Sequence, residues 1–301
     1  MDNSDLRIIY LFTDLLAPLI VGYLLYRHGK ISDALISRIL RLNVIIIYTL
    51  LALMSCWTLP ISWDLALIPI YGVLIVLFPG LIGWAFFIRK YHNALDRGAY
   101  LANAMMSNIT TLGGVCAYII YGEQGFAYAQ IMGIFQTLLL VLAVFPMAQY
   151  YYLQHKNHGR GGKIHIRFAD IFLSWNQLSI LGMAVGLALN AAGVERPPAV
   201  GTAFEGLIHF GAWFGMLPVG ALVNLHRARR YAPYTLDLFA LRFLILPAFM
   251  MAVSYPFVRD PVLLGAILVF SVTPGAINSV TAAKLYHLNV DYTISGFLTT
   301  S

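Results

Sequence analysis

The chain alternates long apolar runs with short polar connections. Each run is long enough, as a helix, to cross a bilayer core of roughly 30 Å. The runs lie near residues 8–26, 39–57, 65–88, 99–121, 126–150, 171–192, 199–224, 236–257, 261–287 and 291–301. The last run would extend only about 16 Å as a helix, so we expect either a truncated chain or a short final helix. The pattern predicts an all-α polytopic membrane protein with ten helices, of which helix 10 is incomplete.

The composition agrees with this pattern. Hydrophobic residues make up 60% of the 301 residues and charged residues 11%, compared with about 25% charged residues in an ordinary soluble domain. The net charge of +6 is more typical of a basic bias that orients membrane helices than of nucleic-acid binding. Cys56 and Cys116 form no disulfide or metal-site pattern. We therefore expect a lipid bilayer as partner, and no nucleic acid, cofactor or metal.

The basic residues favour alternate connections between the apolar runs. Sixteen of the 19 Lys and Arg residues fall in or beside the odd-numbered connections, counting Arg242 just beyond the seventh. The exceptions are Arg7, Arg196 and Arg259. Because cytoplasmic loops carry the excess of Lys and Arg, the N-terminus is predicted outside and the odd connections in the cytoplasm. The expected location is the cell (inner) membrane.

The two halves of the chain share a pattern in opposite orientation. A basic linker over 153–170 separates residues 1–152 from 171–301. The segments VGYLLYRHG (21–29) and VGLALNAAG (185–193) both match V-G-x-x-L-x-x-x-G, although the first ends at a cytoplasmic connection and the second at an outer one. Together with five apolar runs in each half, this match predicts two inverted five-helix repeats, a common transporter architecture.

The fourth and ninth spans correspond in such a repeat, and both are interrupted by polar and helix-breaking residues. The fourth contains SNITTLGG (107–114) and the ninth SVTPGAINS (271–279). Backbone groups freed by Pro or Gly are tolerated in a membrane only inside protein or along an aqueous cavity. Matching interruptions therefore predict a binding site whose half-helix N-termini suit a carboxylate. The alternative is that these small and hydroxyl residues serve only helix packing.

Several motifs resemble the auxin efflux carrier family, whose bacterial members include malonate-type permeases. They are GYLLYRHGKIS, RGAYLANAMMSNITTLGG, YGEQG, MLPVGAL and TPGAINSVTAAKLYHLNVD, in this order along nearly the whole chain. The resemblance implies a sodium/proton-antiporter-like fold with crossed, broken helices 4 and 9. It also implies a scaffold domain from helices 1, 2, 6 and 7, a mobile transport domain from helices 3–5 and 8–10, and a homodimer through the scaffold.

The resemblance further implies a secondary active transporter with elevator-type alternating access. Its substrate would be a small organic anion, such as a mono- or dicarboxylate, held at the crossing of helices 4 and 9. The implied substrate-binding residues are Asn108, Thr110, Gly113, Gly114, Pro274, Gly275, Asn278 and Ser279. Plant members carry proline where Val115 and Ser279 stand here, so we expect the breaks at Gly113-Gly114 and at Pro274-Gly275.

Four titratable side chains inside the spans are candidates for coupling or gating. They are Asp14, Glu205, His209 and Lys284. Glu205 and His209 share a helix face at i, i+4, and a purely structural bridge is the alternative to a coupling role. Lys284 either attracts the anion or snorkels to the surface.

The expected crossing is polar but uncharged, without carboxylates, which favours an anion held by dipoles over a cation held by carboxylates. Sodium coupling through backbone and hydroxyl oxygens, as in bile-acid-type symporters, remains an alternative, as does a non-transporting sensor. The chain contains no P-loop and no catalytic motif, so an enzyme is not expected.

Overall fold

The computed structural model describes residues 9–60, 62–156, 178–222 and 231–300. These residues are nearly all helical, and extended pairing among them is limited to one isolated antiparallel bridge between Ser107 and Gly275. The predicted all-α class is therefore confirmed. Most of the predicted basic linker, from residue 157 onward, lies outside the described residues.

Apart from the 3₁₀ turn Ala232–Tyr234, we number twelve helical segments in chain order across the described ranges. They are α1 (Ala17–Arg27, preceded by the π-helical turn Leu11–Leu16), α2 (Asp33–Trp57), α3 (Trp63–Lys90), α4 (Ala94–Met105), α5 (109–121), α6 (123–156), α7 (Leu178–Ala191), α8 (Pro198–Leu222), α9 (Leu236–Ser254), α10 (Pro261–Ser271), α11 (Ile277–Leu285) and α12 (Val290–Thr300).

Four helical stretches in the described residues are long and apolar enough to cross a membrane. They are α2, α3, α9 and the stretch Ile109–Lys156, which contains α5 and α6. Gly122 divides that last stretch, because its φ of 68° and ψ of −155° are not helical. The fold is thus compatible with an integral membrane protein, while the ten spans, their orientation and the inner membrane stay predictions.

The chain forms two compact units, and each sequence half contributes to both. The first unit comprises Met1–Leu65, Thr110–Ile131 and Phe172–Val223, and the second comprises Ala66–Ile109, Met132–Ile171 and Asn224–Ser301. The first unit therefore contains α1, α2, α7, α8 and nearly all of α5, and the second contains α4, α9 to α12 and nearly all of α3. The helix α6 is divided between them. The predicted mobile and static roles of the domains stay predictions.

Glycines bring the helices of the first unit into backbone contact. A Cβ atom added to Gly22 of α1 would collide with the carbonyl oxygen of Leu217 in α8. A Cβ atom added to Gly186 of α7 would collide in the same way with the carbonyl oxygen of Leu53 in α2. Gly22 and Gly186 are the second residues of the two V-G-x-x-L-x-x-x-G segments. In both halves, the glycine of the shared pattern thus allows two helices to pack closely.

The second unit is built around a buried aromatic and aliphatic cluster. Tyr100 and Leu101 of α4 pack with Leu238 and Leu241 of α9 and with Tyr292 of α12. The side chain of Asn93 accepts a hydrogen bond from the backbone N–H of Leu95 and thereby caps the N-terminus of α4. These contacts fix the direction in which α4 runs toward its interrupted end.

Candidate functional site: the helix crossing

Two interrupted helices meet through their backbones in the second unit. The chain is non-helical between Met105 and Ile109, and again between Ser271 and Ile277. The Asn108 N–H donates to the carbonyl oxygen of Pro274 at 2.9 Å, and the Ala276 N–H donates to that of Met106 at 3.1 Å. We call residues 106–108 and 273–276 the helix crossing. Two pairs of the backbone groups released by the interruptions therefore satisfy one another.

The break in the ninth span lies at the predicted Pro274-Gly275. Proline supplies no N–H to continue the helix, and its carbonyl oxygen is used by Asn108. The Gly275 N–H donates to Thr300 Oγ1 at 3.0 Å, and a Cβ atom added to Gly275 would approach that oxygen to 3.4 Å. The Pro-Gly pair thus ends α10 and lets α12 approach the backbone.

The predicted break of the fourth span at Gly113-Gly114 is wrong. The helix is interrupted at residues 106–108, and Gly113 and Gly114 lie inside the helical stretch that begins at Ile109. Gly114 instead makes room for the ring of Phe126, whose Cε2 would lie 3.3 Å from an added Cβ atom. The position of the break is set by the backbone pairing with the ninth span, which the glycine pair does not reveal.

A fully buried guanidinium lies against the helix crossing. Arg242 of α9 is 0% exposed, and it donates to oxygens of α4 and of the crossing. Its acceptors are Ser107 Oγ (2.6 Å), Asn103 O (2.5 Å), Ala104 O (3.0 Å), Thr273 O (3.5 Å) and Met106 O. Its Nε–H has no partner among the described residues. The crossing is therefore cationic, and its prediction as an uncharged site is wrong.

Sequence reasoning missed Arg242 because the residue lies close to a basic connection and was counted with it. The pattern does contain a signal. Leu238, Arg242 and Leu246 stand at i, i+4 and i+8, and all three are 0% exposed. An arginine on the apolar face of a spanning helix faces the protein interior more readily than lipid, and it indicates a functional site.

The oxygens around Arg242 are neutral. Three of them are carbonyls at the C-terminal end of α4, where a helix carries partial negative charge and lacks intrahelical donors. Within the described residues, no carboxylate forms an ion pair with Arg242. The guanidinium thus stabilises the helix end but retains its net positive charge inside the second unit.

The buried polar side chains beside the helix crossing form hydrogen bonds to one another and to backbone carbonyl oxygens. The Ser279 hydroxyl donates to Asn103 Oδ1 at 2.7 Å, and Asn103 Nδ2 donates to the carbonyl oxygen of Thr293 at 3.1 Å. Gln136 Nε2 donates to the carbonyl oxygen of Ser107 at 2.5 Å. The predicted binding residue Ser279 is fully buried, so its hydroxyl contributes to the frame of the crossing.

Asn108, Thr110 and Asn278 are the predicted binding residues that are not buried. Asn108 is half-buried at the crossing, and Asn278 is exposed in the first turn of α11. The N-cap residue of α11, Ala276, provides no side-chain cap. The start of α11 therefore presents backbone N–H groups together with the Asn278 amide, a combination suited to an anion.

The remaining predicted binding residues belong to the first unit. They are Thr110, Gly113 and Gly114. Within that unit the Thr110 carbonyl oxygen accepts a hydrogen bond from Gln130 Nε2 at 3.5 Å. That these three residues bind the anion stays a prediction.

The predicted coupling residues are arranged differently from the expected pair. His209 Nδ1 lies 2.5 Å from Asp14 Oδ2, while Glu205 is exposed. The Tyr10 ring covers the imidazole with 4.6 Å between ring centroids. Glu205 and His209 are neighbours on α8, but the π-helical turn before α1 brings a more deeply buried carboxylate, that of Asp14, to the imidazole. Lys284 is exposed in the last turn of α11.

No protein-family model matches the chain, and a comparison with curated proteins returns no match.

Proposed function

We propose that the chain is a secondary active transporter for a small organic anion, such as a mono- or dicarboxylate, which binds at the helix crossing. The observation that carries the proposal is the buried Arg242, which brings a positive charge to two interrupted helices without a carboxylate partner among the described residues. A buried charge is costly unless another charge compensates it, and the anion provides that charge.

Asn108 and Asn278 bind the carboxylate in this proposal. Their amide groups and the first N–H groups of α11 are neutral donors near a fixed cation. Hydrogen bonds to an ionised group contribute more than neutral ones, about 1.5–3 kcal/mol each. Arg242 supplies the charge selectivity, because in a medium of low dielectric constant its field acts beyond contact distance.

The transport part of the proposal rests on architecture. The glycine contacts at Gly22 and Gly186 are alike in the two halves, which supports two inverted repeats. We propose elevator-type movement of a transport domain (helices 3–5 and 8–10) along a scaffold domain (helices 1, 2, 6 and 7) that forms a homodimer. The protein would lie in the inner membrane with its N-terminus outside.

Substitution of the two asparagines tests the proposal. We expect Asn108→Ala and Asn278→Ala each to weaken malonate or benzoate binding by about tenfold or more, because each removes a hydrogen bond to a charged group. Binding would be measured on purified protein by ligand-dependent thermal shift, and transport by uptake of labelled malonate or benzoate into proteoliposomes. Uptake, as opposed to binding alone, distinguishes a carrier from a sensor.

The matched control is Asn93→Ala, at the N-cap of α4. It should lower stability by about 1 kcal/mol through loss of the cap and leave binding unchanged. Unchanged binding of both acids in both crossing variants would contradict the proposed site.

A further inference from the structure

We propose that Arg242 is a built-in cation: its guanidinium occupies an oxygen cage that would otherwise hold sodium, so the carrier binds its anion without sodium. This inference rests on the proposed function for the anion that the charge serves. The cage itself is a feature of the second unit.

Among the described residues, the hydrogen-bond acceptors that form the cage are all oxygens at the ends of interrupted helices. Arg242 donates to four backbone carbonyl oxygens and one hydroxyl, and three of the carbonyls converge on Nη2 alone. In carriers with discontinuous helices, unwound carbonyls and the C-terminal ends of half-helices are the groups that coordinate sodium. Here the same kind of groups surround one nitrogen of a side chain.

A cation that belongs to the chain differs from bound sodium because it cannot leave the site during transport. Both carry one positive charge, but the guanidinium remains protonated and cannot dissociate. Its planar fork also reaches more oxygens than the three donors of a lysine can. A carrier whose cage is filled by its own chain therefore has the compensating charge in place before the anion binds, and it draws nothing from a sodium gradient.

The competing explanation is that Arg242 only caps the carbonyls of α4. The two explanations differ for a neutral variant. If Arg242 is only a cap, Arg242→Ala should be destabilised equally in every monovalent salt. If the residue fills a cation cage, the vacated oxygens should accept sodium and recover part of the stability.

The test measures melting temperatures of the purified full chain in sodium chloride and in choline chloride at equal ionic strength. We expect wild type to melt at the same temperature in both salts. We expect Arg242→Ala and Arg242→Ser to melt at least about 3 °C higher in roughly 150 mM sodium chloride than in choline chloride, because sodium binds only the folded cage. The control Arg97→Ala removes an arginine of the same unit that donates to the Tyr91 carbonyl oxygen outside the cage, and should show no sodium effect.

Several results would overturn the inference. They are a sodium-specific rise in the wild-type melting temperature, tighter malonate binding by wild type in sodium than in choline, and equal melting of the neutral variants in the two salts. Neutral variants that cannot be purified in either salt would also contradict it, because sodium then fails to replace the guanidinium. The melting comparison needs no organic anion, so it can succeed or fail independently of the proposed substrate.

Discussion

The ion pairs of the first unit and the buried arginine of the second unit differ in how their charge is balanced. In the first unit, Asp14 pairs with His209, and Arg196 forms a two-pronged ion pair with Glu123 at 2.5 and 3.1 Å. In the second unit, the hydrogen bonds that Arg242 makes with described residues all go to neutral oxygens, although the more exposed Lys90 pairs with Asp237 at 2.6 Å. We infer that the paired charges of the first unit stabilise the fold, whereas the charge of Arg242 is available to a ligand.

The physical basis of this difference is the cost of burying an ion. A buried pair offsets much of that cost internally, and removal of either partner leaves the other uncompensated. Carbonyl dipoles around Arg242 offset part of the cost, but they leave one net charge inside an apolar unit. We therefore expect substitutions in the first unit to change stability, and substitutions at the crossing to change binding as well.

The largest effect on stability is expected at the two glycines of the first unit that leave no room for a side chain between packed helices. Gly22→Val and Gly186→Val should each lower the unfolding free energy by about 3 kcal/mol, or prevent purification, because the added atoms collide with backbone carbonyls of the facing helix. Melting temperatures in detergent would measure the loss. Gly206→Val is the matched control, since nothing lies within 4 Å of a Cβ atom added there. Glycine variants as stable as this control would refute the close approach of the helices.

A smaller effect is expected from the Asp14–His209 pair. Asp14→Asn, His209→Gln and the double variant form a cycle whose coupling we expect to be about 2 kcal/mol, because each single change leaves one partner of a partly buried pair alone. Under conditions in which all three variants are folded, their affinity for malonate should stay within about twofold of wild type. If Asp14→Asn alters malonate binding more than it alters stability, the Asp14–His209 pair takes part in ligand binding as Arg242 does. The proposed contrast between a structural pair in the first unit and a ligand-binding charge in the second would then be wrong.

The sequence predicts where the two interrupted helices meet, but not the positive charge of Arg242 beside them. The pairing of SNITTLGG with SVTPGAINS located both interruptions, and Pro274-Gly275 marked the ninth-span break because proline ends a helix by local chemistry alone. Gly113-Gly114 misled, because glycine in a membrane helix serves close packing as often as interruption. Arg242 was missed because its role depends on oxygens that α4 and the crossing bring to it from far away in sequence.

The same limit applies to His209. Its neighbour at i−4, Glu205, is visible in the sequence, whereas its actual partner comes from the π-helical turn before α1, nearly two hundred residues earlier. Local periodicity identifies which face of a helix a residue occupies, but not which helix covers that face. Fold class and the place of the interruptions follow from local pattern, and the partners of buried charges follow only from tertiary packing.

The most direct test of a cationic crossing is a comparison of matched charged and uncharged ligands on the wild-type protein. Malonate and benzoate would be compared with malonamide and benzamide by thermal shift and titration calorimetry. We expect at least one carboxylate to stabilise the protein, its amide to have no effect, and the carboxylate effect to be lost in Asn278→Ala. Equal binding of acid and amide, or stabilisation by organic ammonium ions in place of the acids, would contradict the account.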